Sequence, residues 1–279
     1  MSRHIACLTF DADAMSGLIS RGLTTPTPIS RGEFSRVAVP RILKLLQKYD
    51  IRATFFVPGV VIETYPSLAE AIHDAGHEIG NHSYTHVPPA TLSAEKEEND
   101  LLLASDLIAR VTGKKPVGYR SPSFDLSPTT AELLIKHNFL YESSMMGHDH
   151  SPYRVRRGDQ VQLEGPVIFG TETQLIEMPV SWNLDDFPHF EFLRTQAQLM
   201  PGLMAANGVL QNWVDDFKYM HDTEDWGVLT YTFHPYVIGR GHRMIFLEKL
   251  ICELKKMNAV FLPLEAAASE FQQRTLSIV

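Results

Sequence analysis

Ionisable residues recur along this chain in patterns that could do chemistry: Asp11-Ala-Asp13, His82-Ser-Tyr-Thr-His86, Arg120, the pair Asp185 and Asp186 behind Trp182, and His234. Two imidazoles four residues apart can meet one ion from a single turn, and a carboxylate adds a hard third ligand. Two histidines and one carboxylate, with a position left open for water, make a catalytic zinc site. An ion held this way lowers the pKa of water towards about 7 and polarises a carbonyl oxygen. Asp11 and Asp13 alternate by two, so they share a face if strand geometry persists. Two carboxylates on one face invite divided roles, one ligating metal and the other taking a proton; the pattern does not say which does which. His234 is a candidate general acid for a leaving amine. Arg120 could fix a carboxylate with its fork of donors. Asp185 and Asp186 could orient an imidazole from behind or sit in a polar turn.

Each signal has a plain alternative. With 12 histidines in 279 positions, chance supplies roughly 0.5 pairs at any one spacing, so the His82/His86 pair means little without its context. His73 and His77 share that spacing and serve as an internal control. An Asp near a strand end is often only a turn residue. His148-Asp-His150 resembles a metal cluster but has no strand to position it, and reads as loop.

The context comes from the elements. Short apolar runs at 4–10, 53–57, 78–81, 117–119, 175–178, 228–233 and 259–264 read as strands. Amphipathic stretches at 37–49, 67–75, 94–112, 127–137, 207–220 and 244–255 read as helices between or after them. Glu95, Glu97 and Glu98 crowd the start of 94–112, where the helix dipole favours anions, and Gly113 supplies its stop. Strands alternating with helices from end to end predict one α/β barrel, spanning 1–279, rather than two domains. In a parallel barrel the reactive groups gather where strands end. His82 and His86 lie at the exit of 78–81, whereas His73 and His77 lie before its entry. Two segments without clear periodicity, 14–36 and 147–170, are placed over the barrel mouth as lids or oligomer contacts, with Arg31 reaching in.

Composition narrows the function classes. A net charge of −8 disfavours a phosphate-tracking nucleic-acid binder, which needs a basic face. Hydrophobic residues at 44% and charged residues at 21% allow a sizeable core and exclude global disorder. Two cysteines, Cys7 and Cys252, cannot make a disulfide framework and suit a reducing compartment. No stretch approaches the roughly 18 apolar residues of a membrane helix, and no long apolar region opens the chain, so no membrane partner and a cytoplasmic location are expected.

These residues carry a family resemblance. Leu8-Thr-Phe-Asp-Ala-Asp13, His82-Ser-Tyr-Thr-His86, Gly118-Tyr-Arg-Ser-Pro122 and Thr232-Phe-His-Pro235 resemble the ordered motifs of the polysaccharide deacetylase (chitooligosaccharide deacetylase homology) superfamily, over about residues 5–265. Ile29-Ser-Arg-Gly32, Gly76-His-Glu-Ile-Gly80, Ser151-Pro-Tyr-Arg154 and Trp182-Asn-Leu-Asp-Asp-Phe-Pro188 are similar to one branch of it. That branch holds peptidoglycan deacetylase-like proteins, cyclic imide hydrolases and allantoinase-like enzymes. The resemblance implies a distorted (β/α)7 barrel, often a homotetramer. It implies Asp13, His82 and His86 as ligands of Zn2+ or another divalent ion, Asp11 as base and His234 as acid. Arg31, Arg120, Trp182, Asp185 and Asp186 are expected to touch substrate or to support these groups. The common first motif has adjacent aspartates, whereas Ala12 separates them here.

The expected activity is metal-dependent hydrolysis of non-peptide carbon–nitrogen bonds. A small cyclic imide or amide is the first expectation, since no export signal leads the chain to a wall polymer. N-deacetylation of an N-acetylglucosamine polymer or peptidoglycan is the alternative. A carbohydrate-binding barrel without catalysis is a third, disfavoured by the intact set of a base, an acid and three ligands.

Overall fold

The computed structural model describes residues 2–195 and 199–276. The first strand, β1 (Arg3–Asp11), is buried along nearly its whole length, because helices cover one face and the barrel interior the other. Ile5 and Cys7 point inward to meet Phe56 and Tyr141, while Ala6, Leu8 and Phe10 point outward into the helix-covered core. The same alternation keeps Thr9 and Asp11 on the inner column, so Asp11 arrives at the mouth of the barrel.

Beyond β1 the strands are β2 (Thr54–Val57), β3 (Glu78–Asn81), β4 (Gly118–Tyr119), β5 (Tyr141–Glu142), β6 (Tyr153–Arg157) and β7 (Thr171–Glu177). They are followed by β8 (Leu193–Arg194), β9 (Leu199–Met200), β10 (Trp226–Phe233) and β11 (Val260–Phe261). The main sheet runs β10-β1-β2-β3-β4-β5-β7-β6. From β10 through β7 every neighbour is parallel, which makes seven barrel strands; only β6 is antiparallel. β11 pairs with Ile5 and Ala6 on β1, and β2 takes over from Thr9 to Asp11. β8 and β9 form a separate antiparallel pair.

The barrel is distorted because β7 and β10 do not form a ladder. A single parallel bridge, Asp185 to Thr232, joins that side. Nearer the start of β10, Val228 N–H donates to the His150 carbonyl at 3.0 Å, so the loop around His150 fills the open seam. At the far end, the helix Leu264–Leu276 inserts Leu264, Ala267 and Ala268 into the interior cluster and plugs the bottom.

Several expectations change here. Segment 14–36 is not irregular: it holds the helices Ser16–Ile19 and Pro26–Glu33, and Arg21 between them reaches the barrel mouth. Pro26 sits in the first turn, where its fixed φ suits a helix and its missing N–H costs nothing. Gly32 lets this helix approach the chain, since a Cβ there would lie 2.4 Å from the Met15 backbone. Segment 147–170 does not roof the mouth; it fills the seam and then supplies β6 along the outside of β7. The expected strand at 259–264 shortens to Val260–Phe261, because Pro263 and Leu264 open the last helix. His77, the control histidine, sits at the barrel's other end and accepts the Ala53 N–H at 3.2 Å. Burial, with Arg52 adding to it, pushes its pKa down to about 4, so it is a neutral core imidazole.

Candidate active site

The ends of β1, β3 and β10 converge on one cavity of about 280 Å3 lined by Asp11, Asp13, His82, His86 and His234. Asp13 sits between the imidazoles: its Oδ1 lies 3.3 Å from His82 Nε2, and its Oδ2 lies 3.1 Å from His86 Nε2. One ligand atom from each of the three residues falls within 4.8 Å of the others. Asp13 Oδ1 is buried with no hydrogen-bond donor of its own, which is the condition a cation would relieve. The trio therefore fits a divalent ion with two nitrogen donors and one oxygen donor.

Neighbouring groups orient these side chains. His82 Nδ1 lies 2.8 Å from the Arg120 carbonyl, which can only accept. The Nδ1 proton is thereby fixed and the Nε2 lone pair is left facing the carboxylate. Asn81 and Ser83 hold the loop by accepting the N–H groups of Ser83 and His86, and Asp100 accepts both the N–H and the hydroxyl of Thr85. Burial pushes the Asp13 carboxyl up, but His86 and His82 outweigh it and hold it well below the usual range. Burial pushes His86 down and, despite Asp13, leaves it a poor base for protons.

Asp11 is held differently. It takes a 2.9 Å ion pair from Arg120 Nη1 to its Oδ1, while its Oδ2 lies 3.9 Å from His82 Nε2. Arg120 is wholly buried. It also donates to Thr9 Oγ1 and to the carbonyl and hydroxyl of Ser143, and it stacks 4.4 Å from the Phe56 ring centre. The expected arginine–carboxylate contact thus exists, through one nitrogen rather than two, and its partner is Asp11 rather than a substrate.

Across the cavity, His234 opens at the end of β10. Its N–H and its Nδ1 both contact Asp186 Oδ1, at 2.9 and 2.8 Å, and Asp185 Oδ1 is 3.5 Å from the same ring nitrogen. Nε2 is left facing inward, 3.7 Å from Asp13 Oδ2. Burial alone would push His234 down, but the Asp185 and Asp186 carboxylates push it up to about 10. Burial in turn pushes Asp185 up to about 7 against the pull of His234. Both aspartates thus face the Nδ1 side of the His234 ring and favour its protonated form.

Of the remaining expected residues, Trp182 stands half-exposed at the rim, 4.7 Å from the Phe124 ring. Arg31 does not reach the cavity. Its guanidinium pairs with the Glu191 carboxylate and donates to the Phe192 carbonyl at 2.6 Å, because the helix Pro26–Glu33 carries it towards that loop. His148 remains a loop residue, whose Nδ1 accepts the N–H groups of His150 and Ser151. Sequence reasoning missed Arg21, Phe124, Phe187 and Met200, all on the cavity wall. Phe124 follows directly on the Arg120-Ser-Pro122 strand end, a signal that could have found it. Backbone strain marks the same rim: Ala14, Ser83, His86, Ser123 and Phe124 all hold φ between 48° and 63°.

The family described as Polysaccharide deacetylase matches residues 2–141. The chain belongs to that family. It is 38% identical over 278 residues to a peptidoglycan deacetylase of Helicobacter pylori, covering 95% of this chain and 94% of that one. A solved Mycobacterium smegmatis structure assigned to the polysaccharide deacetylases is 29% identical, with a TM-score of 0.85 over 98% of this chain and 92% of its own. The structure of PuuE allantoinase is 20% identical, with a TM-score of 0.75 over 98% and 90% of the two chains, and shares the fold. The protein is a hydrolase acting on carbon–nitrogen bonds other than peptide bonds.

Proposed function

We propose that this enzyme removes acetyl groups from N-acetylated amino sugars of peptidoglycan, with a divalent metal ion, of which Zn2+ suits the donors best. The observation that carries the reading is the convergence of Asp13, His82 and His86 with a carboxylate on one side and an imidazole on the other, in one cavity. Full-length likeness to a peptidoglycan deacetylase supports it. The cyclic-imide expectation lacks comparable support, since likeness to the allantoinase extends to the fold alone.

Asp13, His82 and His86 would hold the ion, which when bound supplies a Lewis acid for the acyl oxygen and makes water more acidic. Asp11 takes the proton as water oxygen bonds to the acyl carbon. Arg120 aims that carboxylate through a buried, charge-assisted hydrogen bond. His234 hands its Nε2 proton to the sugar nitrogen as the carbon–nitrogen bond breaks, and Asp186 steadies the ring through Nδ1. Acetate and a free amine leave. The Phe124–Trp182 rim offers an apolar wall against which a sugar ring can pack.

Replacing Asp11 by Asn tests the assignment. Acetate release is expected to stop while bound metal stays near one ion per chain. Loss of the metal with retention of the base would exchange the roles of Asp11 and Asp13.

A further inference from the structure

Among the described residues, Arg21 is the one cavity-lining cation that the catalytic machinery above does not use. Its Nη1 donates to the Gly17 carbonyl, its Nη2 lies 3.3 Å from Ser123 Oγ, and its guanidinium stands 5.7 Å from the centre of the Phe187 ring. Among the described residues no carboxylate forms an ion pair with it. Every acid beside it has another partner: Asp13 faces the two imidazoles, Asp11 faces Arg120, and Asp185 and Asp186 face His234. A partly buried guanidinium at a cavity wall, satisfied by neutral oxygens only, is ready for an anion.

Its position is specific. A Cβ built on Gly17 would lie 3.3 Å from Asp13 Oδ2, 3.3 Å from His86 Cε1 and 3.4 Å from Arg21 Nη1. Arg21 Nη1 and Asp13 Oδ2 therefore both lie within 3.4 Å of one point beside Gly17, which puts the guanidinium next to the ligand trio. An acyl carbon seated at the trio would carry its neighbouring substituents directly past Arg21. Only a short tether, a few bonds from the acylated nitrogen, could place a carboxylate there.

Resting on the deacetylase reading, we infer that the preferred substrate carries a carboxylate next to the scissile amide, and that Arg21 binds it. Peptidoglycan has two N-acetylated sugars that differ in this respect. N-acetylmuramic acid bears a lactyl carboxylate on the oxygen of C3, beside the acetamido group on C2, while N-acetylglucosamine bears a neutral hydroxyl. The inference selects the muramyl residue. The Gly17 carbonyl and Ser123 hydroxyl aim the guanidinium, and the Phe187 ring supports its flat face.

The test measures acetate release from muramyl-containing glycan fragments and from matched N-acetylglucosamine oligomers, using metal-loaded wild type, Arg21→Gln and Arg21→Lys. Wild type is expected to favour the carboxylate-bearing substrate by about 10- to 100-fold in kcat/KM, the range a charged hydrogen bond supplies. Arg21→Gln is expected to lose most of that preference through KM, its loss falling mainly on the muramyl substrate. Arg21→Lys, which keeps the charge but not the fork, is expected to fall between the two. Equal rates on both substrates in wild type, or a loss in Arg21→Gln shared evenly by both, would overturn the inference while leaving the deacetylase reading intact. Release of acetate from neither substrate would sink both.

Discussion

Arg120→Met separates the electrostatic role of this arginine from its packing. The side chain is wholly buried and makes hydrogen bonds to Asp11 Oδ1, Thr9 Oγ1 and both oxygens of Ser143. Methionine keeps much of its volume against Phe56 but strands the Asp11 carboxylate. Breaking a buried ion pair on one side costs about 3–5 kcal/mol. For a chain of this size that lowers Tm by on the order of 10 °C. Calorimetry on the chelated protein reads the loss without interference from metal binding. Asp11→Asn in the same background removes the stranded charge, so the double variant should lose less than the two single losses together, by roughly 1–3 kcal/mol. Acetate release by Arg120→Met should also fall, because Asp11 is no longer aimed. Losses that simply add in the double variant would refute the claim that Arg120 acts through Asp11.

Three further outcomes follow from named groups. Asp186→Asn removes one of the carboxylates that push the His234 pKa up to about 10, so the alkaline limb of kcat should move to lower pH; an unmoved limb would detach Asp186 from the acid. Glu78 is buried, and its pKa is pushed up to about 7 by burial and by Glu265 against hydrogen bonds from Thr54 and Tyr141. Its contribution to stability is full below about 4.5, is lost as pH rises to about 7, and amounts to at most about 3 kcal/mol; Glu78→Gln should flatten unfolding stability across that window, and an unchanged slope counts against it. Adding a divalent ion to chelated protein should raise Tm, the added stability growing with the logarithm of ion concentration to about 4 kcal/mol at a thousandfold excess over Kd. His86→Ala should abolish that rise, and a rise that survives the substitution would place the ion elsewhere.

What was legible in the sequence was the inner column and its ends. Asp11, Asp13, His82, His86 and His234 sit where strand periodicity puts them, because the residues at the C-terminal ends of parallel strands have only one mouth to face. The same periodicity told His82 and His86 from His73 and His77. Arg31 was misplaced because its surroundings depend on Glu191, a residue 160 positions away whose charge leaves no local pattern. Segments 14–36 and 147–170 were misread for related reasons. The first hides two short helices that Pro26 and Gly32 permit only against the Met15 backbone. The second is antiparallel to β7, and its strand β6 is half-exposed, so it has neither a helix period nor a buried run. Arg21 and Phe124 escaped notice because a cavity wall is made by tertiary approach, not by spacing.

The most direct test of the account is one proton-NMR time course on zinc-loaded enzyme with a pool of peptidoglycan fragments, N-acetylglucosamine oligomers, succinimide, a phthalimide and a hydantoin. The account predicts growth of the free acetate signal, absent in Asp11→Asn, with the cyclic compounds unchanged. Ring-opened half-amide signals without acetate would contradict it and make this site a cyclic-amide hydrolase.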